Sequence, residues 1–194
     1  MNRRLIVPIV CLVLGVVMLG ATAFFTLREP SSPTQPTAVI GGSFALIDHD
    51  GKAITNRDLI GKPHLVFFGF THCPDVCPTA LMEISRVFET LGPDKKVGAL
   101  FVTVDPERDD AATMKDYVSN FDPRIVGVTG PRDSINAALK SFRVYSRKVP
   151  GEGENYSMDH SAVVYLMDKQ GRFVSGFNLQ QPPEKAAQEL ARYL

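Results

Sequence analysis

The spacing of hydrophobic positions changes several times along the chain, and each change marks a different element. Leu5 to Leu27 is a 23-residue run without a charged side chain. As a helix it would extend roughly 34 Å, enough to cross a bilayer core. Glu29 to Gly42 breaks the pattern with Pro30, Pro33 and Pro36 among Ser and Thr, an extended and semi-rigid linker. Phe44–Ile47 and Ala53–Ile54 then flank Asp48-His49-Asp50-Gly51-Lys52, which predicts a β-hairpin. Leu65–Phe70 and Val97–Val104 are continuous apolar runs, as expected of strands buried on both faces. Between them Ala80, Leu81, Ile84, Val87, Phe88 and Leu91 follow the 3.6-residue period of an amphipathic helix that stops at Gly92-Pro93.

The remaining chain continues the alternation. A helix is expected over 110–119, a short strand over Ile125–Val128 and a helix over Ser134–Phe142. Strands over Ser161–Met167 and Arg172–Phe177 are joined by Asp168-Lys169-Gln170-Gly171, and a helix over Glu184–Tyr193 closes the chain. Tyr145–Asp159 has two Gly, one Pro and no periodicity, and reads as a long loop of the kind that often carries function. A hairpin, then βαβαβα, then a hairpin and a helix is an α/β class, with a central sheet covered by helices on both faces. A terminal hairpin and helix after βαβ is the thioredoxin-like arrangement, here with an extra N-terminal β-hairpin. The organisation expected is an anchor over 1–28, a linker over 29–42 and one domain over 43–194.

Composition supports this division. Of 194 residues, 44% are hydrophobic and 22% charged, so a packed core is expected and global disorder is not. The 21 basic and 21 acidic residues balance, which leaves no basic face for nucleic acid. Arg3, Arg4 and Arg28 lie in a segment without acids, so the rest of the chain carries a net charge near −3. Arg3 and Arg4 before the apolar run place the N-terminus in the cytoplasm and send the domain across. Ala21-Thr22-Ala23 fits a signal-peptidase site, the alternative being a cleaved leader. The apolar run continues past it through Phe24, Phe25 and Leu27, which favours an uncleaved single-pass anchor. With no long Arg/Ser-rich presequence, the expected membrane is a bacterial inner membrane, the domain lying in the periplasm. Cys11 within the span reads as an apolar filler.

Candidate chemistry concentrates in Cys73-Pro74-Asp75-Val76-Cys77-Pro78, between the first buried strand and the amphipathic helix. A helix N-terminus favours thiolate, which is both a nucleophile and a soft-metal ligand. Thioredoxin-type redox pairs have two intervening residues; this pair has three, leaving room for an ion while still permitting a disulfide. Of the four histidines, His160 precedes the Ser161–Met167 strand, and topology returns its loop to the cysteine end of the sheet. Two thiolates and one imidazole suit copper(I), and zinc accepts the same donors. His49 in the first hairpin turn reads as solvated, His64 lies at the far end of its strand, and His72 should point away from Cys73. Asp159 is a candidate to orient the site or bind an oxidised metal, and Met158 reads as core. Val104-Asp105-Pro106-Glu107-Arg108-Asp109 leaves the second strand at the same end, either as an acidic docking segment or as a Pro-initiated turn capped by Asp105.

Phe70-Thr71-His72-Cys73-Pro74-Asp75-Val76-Cys77-Pro78, Val104–Asp109 and Asp159-His160-Ser161 together resemble the Sco/SenC family, over roughly residues 40–194. The resemblance implies a membrane-anchored, thioredoxin-like copper metallochaperone rather than an enzyme. Cys73, Cys77 and His160 would be the copper ligands. The client would be the dinuclear copper site of cytochrome c oxidase subunit II, and an upstream periplasmic donor would supply copper. The alternative is a thiol–disulfide oxidoreductase in which Cys73 and Cys77 reduce the client's cysteines. A peroxiredoxin-like peroxidase and a copper sensor are weaker readings.

Overall fold

A computed structural model of the chain describes residues 40–151 and 155–194, together with 12, 14–20, 22 and 24. The described residues near the N-terminus are helical, and the Thr22 hydroxyl donates to the carbonyls of Met18 and Leu19. The remainder of the expected anchor, including Cys11 and the Ala21 and Ala23 of the signal-peptidase site, and most of the linker lie outside the described residues. Among the described residues no helix is long and apolar enough to cross a membrane.

The unit over Val39–Leu194 is built on a seven-stranded sheet. Strand β1 (Ala45–Asp48) and β2 (Ala53–Thr55) form the N-terminal hairpin, and Leu46 pairs with Ile54. Then come β3 (His64–Gly69), α1 (Val76–Leu91), β4 (Gly98–Thr103), α2 (Ala111–Val118), β5 (Ile125–Thr129) and α3 (Arg132–Phe142). They are followed by β6 (Ser146–Pro150), β7 (Tyr156–His160), β8 (Val164–Met167), β9 (Phe173–Gly176) and α4 (Pro183–Ala191). The sheet order is β2-β1-β5-β4-β3-β8-β9, with β3, β4 and β5 parallel and the outer pairs antiparallel. This is a thioredoxin-like α/β fold extended by β1 and β2.

Every residue of β3 and β4 is buried, which is why both read as unbroken apolar runs. Successive side chains of β3 point to opposite faces. Phe67 stacks on Phe101, which in turn stacks on Tyr117 of α2; Phe68 packs on Phe142 of α3. Helices therefore cover both faces, as the alternation predicts. Leu81, Ile84, Val87 and Phe88 are the buried stripe of α1, and α1 also packs on α4.

Two expectations need correction. Tyr145–Asp159 is not a structureless loop: β6 and β7 form a second, separate antiparallel hairpin. Its five cross-strand pairs run from Ser146 with His160 to Pro150 with Tyr156 and include Arg147 with Asp159, and Met158 is the one buried residue of the two strands. A ribbon with so little buried surface has no apolar alternation to reveal it. Consequently His160 ends β7, and the next strand starts only at Val164 rather than Ser161.

Candidate metal centre

The cysteine turn joins the end of β3 to α1. Its backbone folds back at once, the Cys73 amide donating to the Phe70 carbonyl at 3.2 Å. The turn is held from below by Asp109, whose side chain is fully buried. One carboxylate oxygen of Asp109 accepts from the Thr71 amide at 3.1 Å and the Thr103 hydroxyl at 2.6 Å; the other accepts from the Thr71 hydroxyl at 2.6 Å. A buried carboxylate needs such donors, and three of them tie the turn to the end of β4.

Only Cys77 lies within α1; Cys73 precedes it. Asp75 occupies the N-cap without making a side-chain bond. Instead the Cys77 amide donates to Cys73 Sγ at 3.4 Å, so this sulfur satisfies an otherwise orphaned helix donor. Cys77 is fully buried beside Gly69. A Cβ at position 69 would stand 2.6 Å from Cys77 Sγ, so the thiol's seat exists because Gly69 has no side chain. The helix N-terminus was expected to favour thiolate. At Cys77 burial opposes it and pushes the thiol well above its ordinary value. Cys73 and Cys77 are free thiols, not a disulfide.

His160 is delivered from the opposite side by the end of β7. Its Nδ1 lies 3.1 Å from the Ser161 carbonyl, which can only accept, so Nδ1 carries the proton. The lone pair is then on Nε2, which faces Cys77 Sγ at 3.7 Å. Phe70 and Phe67 pack edge-on against the ring, with centroids at 5.8 and 6.4 Å. Cys73 Sγ, Cys77 Sγ and one His160 nitrogen all lie within 4.8 Å of one another. In a three-coordinate site with bonds of about 2.3 Å the two sulfurs stand about 4.0 Å apart, so closing the cluster requires movements of less than about 1 Å. Two soft sulfurs and one imidazole fit copper and zinc far better than a hard cation.

Other candidates fall outside this cluster. His72 is exposed, beside the Thr71 hydroxyl at 3.1 Å. His64 is buried at the far end of β3, its Nδ1 3.0 Å from the Lys62 carbonyl, and burial lowers its pKa to about 4. His49 is not simply solvated: its Nδ1 accepts the Gly127 amide at 2.9 Å. Asp159 neither joins the cluster nor orients it. It pairs with its cross-strand neighbour Arg147 at 3.0 Å, on the exposed side of the hairpin. Met158 is core.

The 104–109 segment is a turn, the amides of Arg108 and Asp109 both donating to the Asp105 carbonyl. Asp105 and Asp109 point inward, whereas Glu107 is exposed. Asp105 is buried and accepts from Arg108 Nε and from the Tyr156 hydroxyl at 2.9 Å. Gly69, Thr71, Asp109 and the Arg108–Tyr156 pair are thus supports that sequence reading missed. The 104–109 motif was a visible signal for Asp109, but its partner Thr71 lies 38 residues away.

Comparison with known proteins gives a consistent picture. The sequence pattern of the SCO1/SenC family matches residues 32–194. The zebrafish protein named "Protein SCO2 homolog, mitochondrial" is 41% identical over 157 residues, covering 79% of this chain but 56% of that one. The chain therefore spans little more than half the length of that relative. A Rickettsia felis "SCO2-like protein" is 34% identical over 181 residues, covering 87% of this chain and 88% of its own. Among solved structures, Bradyrhizobium japonicum ScoI with copper bound is 56% identical with a TM-score of 0.78, covering 80% of this chain and 99% of that one.

Proposed function

Because this chain belongs to the SCO1/SenC family, we propose that it is a copper metallochaperone whose cargo is held by Cys73, Cys77 and His160. The observation that carries this reading is the convergence of three soft donors within 4.8 Å from two separate segments. The copper-bound structure of the Bradyrhizobium relative supports the choice of copper over zinc. Copper(I) suits a three-coordinate thiolate–imidazole site, and the ion's charge offsets the burial that keeps Cys77 protonated when metal-free. Cys77 gives up its proton on loading. Cys73 and His160 are each partly exposed, so an incoming ligand can displace them one at a time. Loading requires both thiols reduced, because a disulfide offers no thiolate.

The proposal extends to the cell. The apolar run Leu5–Leu27 behind Arg3 and Arg4 supports a single-pass anchor in a bacterial inner membrane with the domain in the periplasm. The client is the dinuclear copper site of cytochrome c oxidase subunit II, and a periplasmic donor supplies the copper. The second reading, a thiol–disulfide oxidoreductase acting on the same client, is favoured by one feature. Cys73 is partly exposed while Cys77 is buried beside it, as an attacking thiol and its resolving partner would be. His160→Ala separates the two: a chaperone loses tight copper binding, whereas a reductase keeps most of its disulfide-reducing rate.

A further inference from the structure

The imidazole of the site sits on a hairpin that is not hydrogen-bonded to the main sheet. Strand β6 has no buried residue and β7 has only Met158. An isolated two-stranded ribbon is marginal in water, so the position of His160 depends on what fastens the ribbon to the domain.

That fastening is concentrated at Tyr156, the first residue of β7. The Arg108 guanidinium lies over the Tyr156 ring at 3.6 Å, and Arg108 Nη1 donates to the Tyr156 carbonyl at 3.0 Å. Asp105 closes the loop by accepting from both Arg108 Nε and the Tyr156 hydroxyl. On the same ring, Lys148 Nζ lies 3.6 Å from the centroid and pairs with Glu107 at 3.1 Å. Arg108 also reaches toward the Phe70 ring, at 5.9 Å, and Phe70 packs edge-on against His160. One side chain therefore touches the first residue of the strand that ends in His160 and the aromatic wall behind that imidazole.

We infer that Arg108 is a positioning residue for His160, clamping Tyr156 so that Nε2 stands against the cysteine pair. The inference rests on the copper reading for its consequence and on the metal-free geometry for its cause. Lysine cannot replace it fully, because the bond to Asp105 and the bond to the Tyr156 carbonyl use separate arms of one planar fork.

The test uses the full-length chain in a mild detergent. Arg108→Ala, Arg108→Lys and Tyr156→Leu are made both in the wild type and in His160→Ala. Copper(I) affinity is read by competition with a chromophoric chelator under reducing conditions, and the His160 ring nitrogens of the metal-free chain are read by NMR. Arg108→Ala and Tyr156→Leu are each expected to weaken copper(I) about 10- to 100-fold, as loss of groups that orient a ligand does, with Arg108→Lys in between. In His160→Ala the same changes should alter affinity by less than about twofold, since the residue they position is gone. The metal-free His160 ring should pass from one Nδ1-protonated tautomer to a mixture. An equal loss in both backgrounds, or an unchanged tautomer and affinity in the wild type, overturns the clamp. If His160→Ala binds copper(I) like wild type, the copper reading fails instead, and the ring nitrogens alone then decide the role of Arg108.

Discussion

At the scale of single residues the site rests on groups that carry no ligand atom. Gly69 is the clearest case. A methyl group there would meet Cys77 Sγ at 2.6 Å and the Phe101 ring at 2.7 Å, so one of them must shift in a close-packed core. Gly69→Ala should leave the protein folded but displaced at the thiol, with copper(I) affinity lower by about one to two orders of magnitude in the chelator competition. Asp109 works from the other side of the turn. Asp109→Leu strands the hydroxyls of Thr71 and Thr103 and the Thr71 amide, and each buried orphan costs about 1–3 kcal/mol. A loss of at least about 3 kcal/mol in urea unfolding is expected. Cys73, Cys77 and His160 were legible from residue type and spacing. Gly69 and Asp109 were not, because what makes them matter is a contact across the fold.

Elements with a buried stripe read well from the sequence, and elements without one do not. The α1 stripe from Leu81 to Phe88 is periodic, and the fully buried β3 and β4 are unbroken apolar runs. The β6–β7 hairpin is held by cation–aromatic and ionic contacts to Tyr156 and Arg147, and such contacts leave no periodicity. That is why Tyr145–Asp159 reads as a loop and why the sequence pattern starts the next strand at Ser161 rather than Val164. Strand β3 also carries a pH dependence, at its end remote from the metal centre. Burial lowers the His64 pKa from its ordinary 6.5 to about 4, so the folded state resists a proton that the unfolded chain accepts. The stability gained from neutral His64 is complete above about pH 6.5 and is lost as pH falls toward 4, on the order of 3 kcal/mol in all. Urea midpoints measured across that interval should fall for the wild type and fall less for His64→Gln.

At the scale of the whole molecule, strand–helix alternation was enough to predict the fold class, the faces covered by helices and the end of the sheet that carries the site. The hairpin β1–β2 extends the sheet beyond β5, on the side away from β3 and the cysteines, so the extension leaves the site free. Metal and fold are coupled because the three donors come from two segments 83 residues apart. A ligand that binds only the folded state stabilises it by about 4 kcal/mol at a thousandfold excess over its dissociation constant. Copper(I) should therefore raise the unfolding midpoint of the wild type and leave Cys77→Ala nearly unmoved. Copper held by Cys73, Cys77 and His160 is tested by a copper(I) titration of the reduced 194-residue chain beside His160→Ala and Cys77→Ala. One equivalent should bind tightly to the wild type, and tight binding should be lost in both variants. Wild-type affinity in His160→Ala, or no stoichiometric copper in the wild type, would contradict that ligand set.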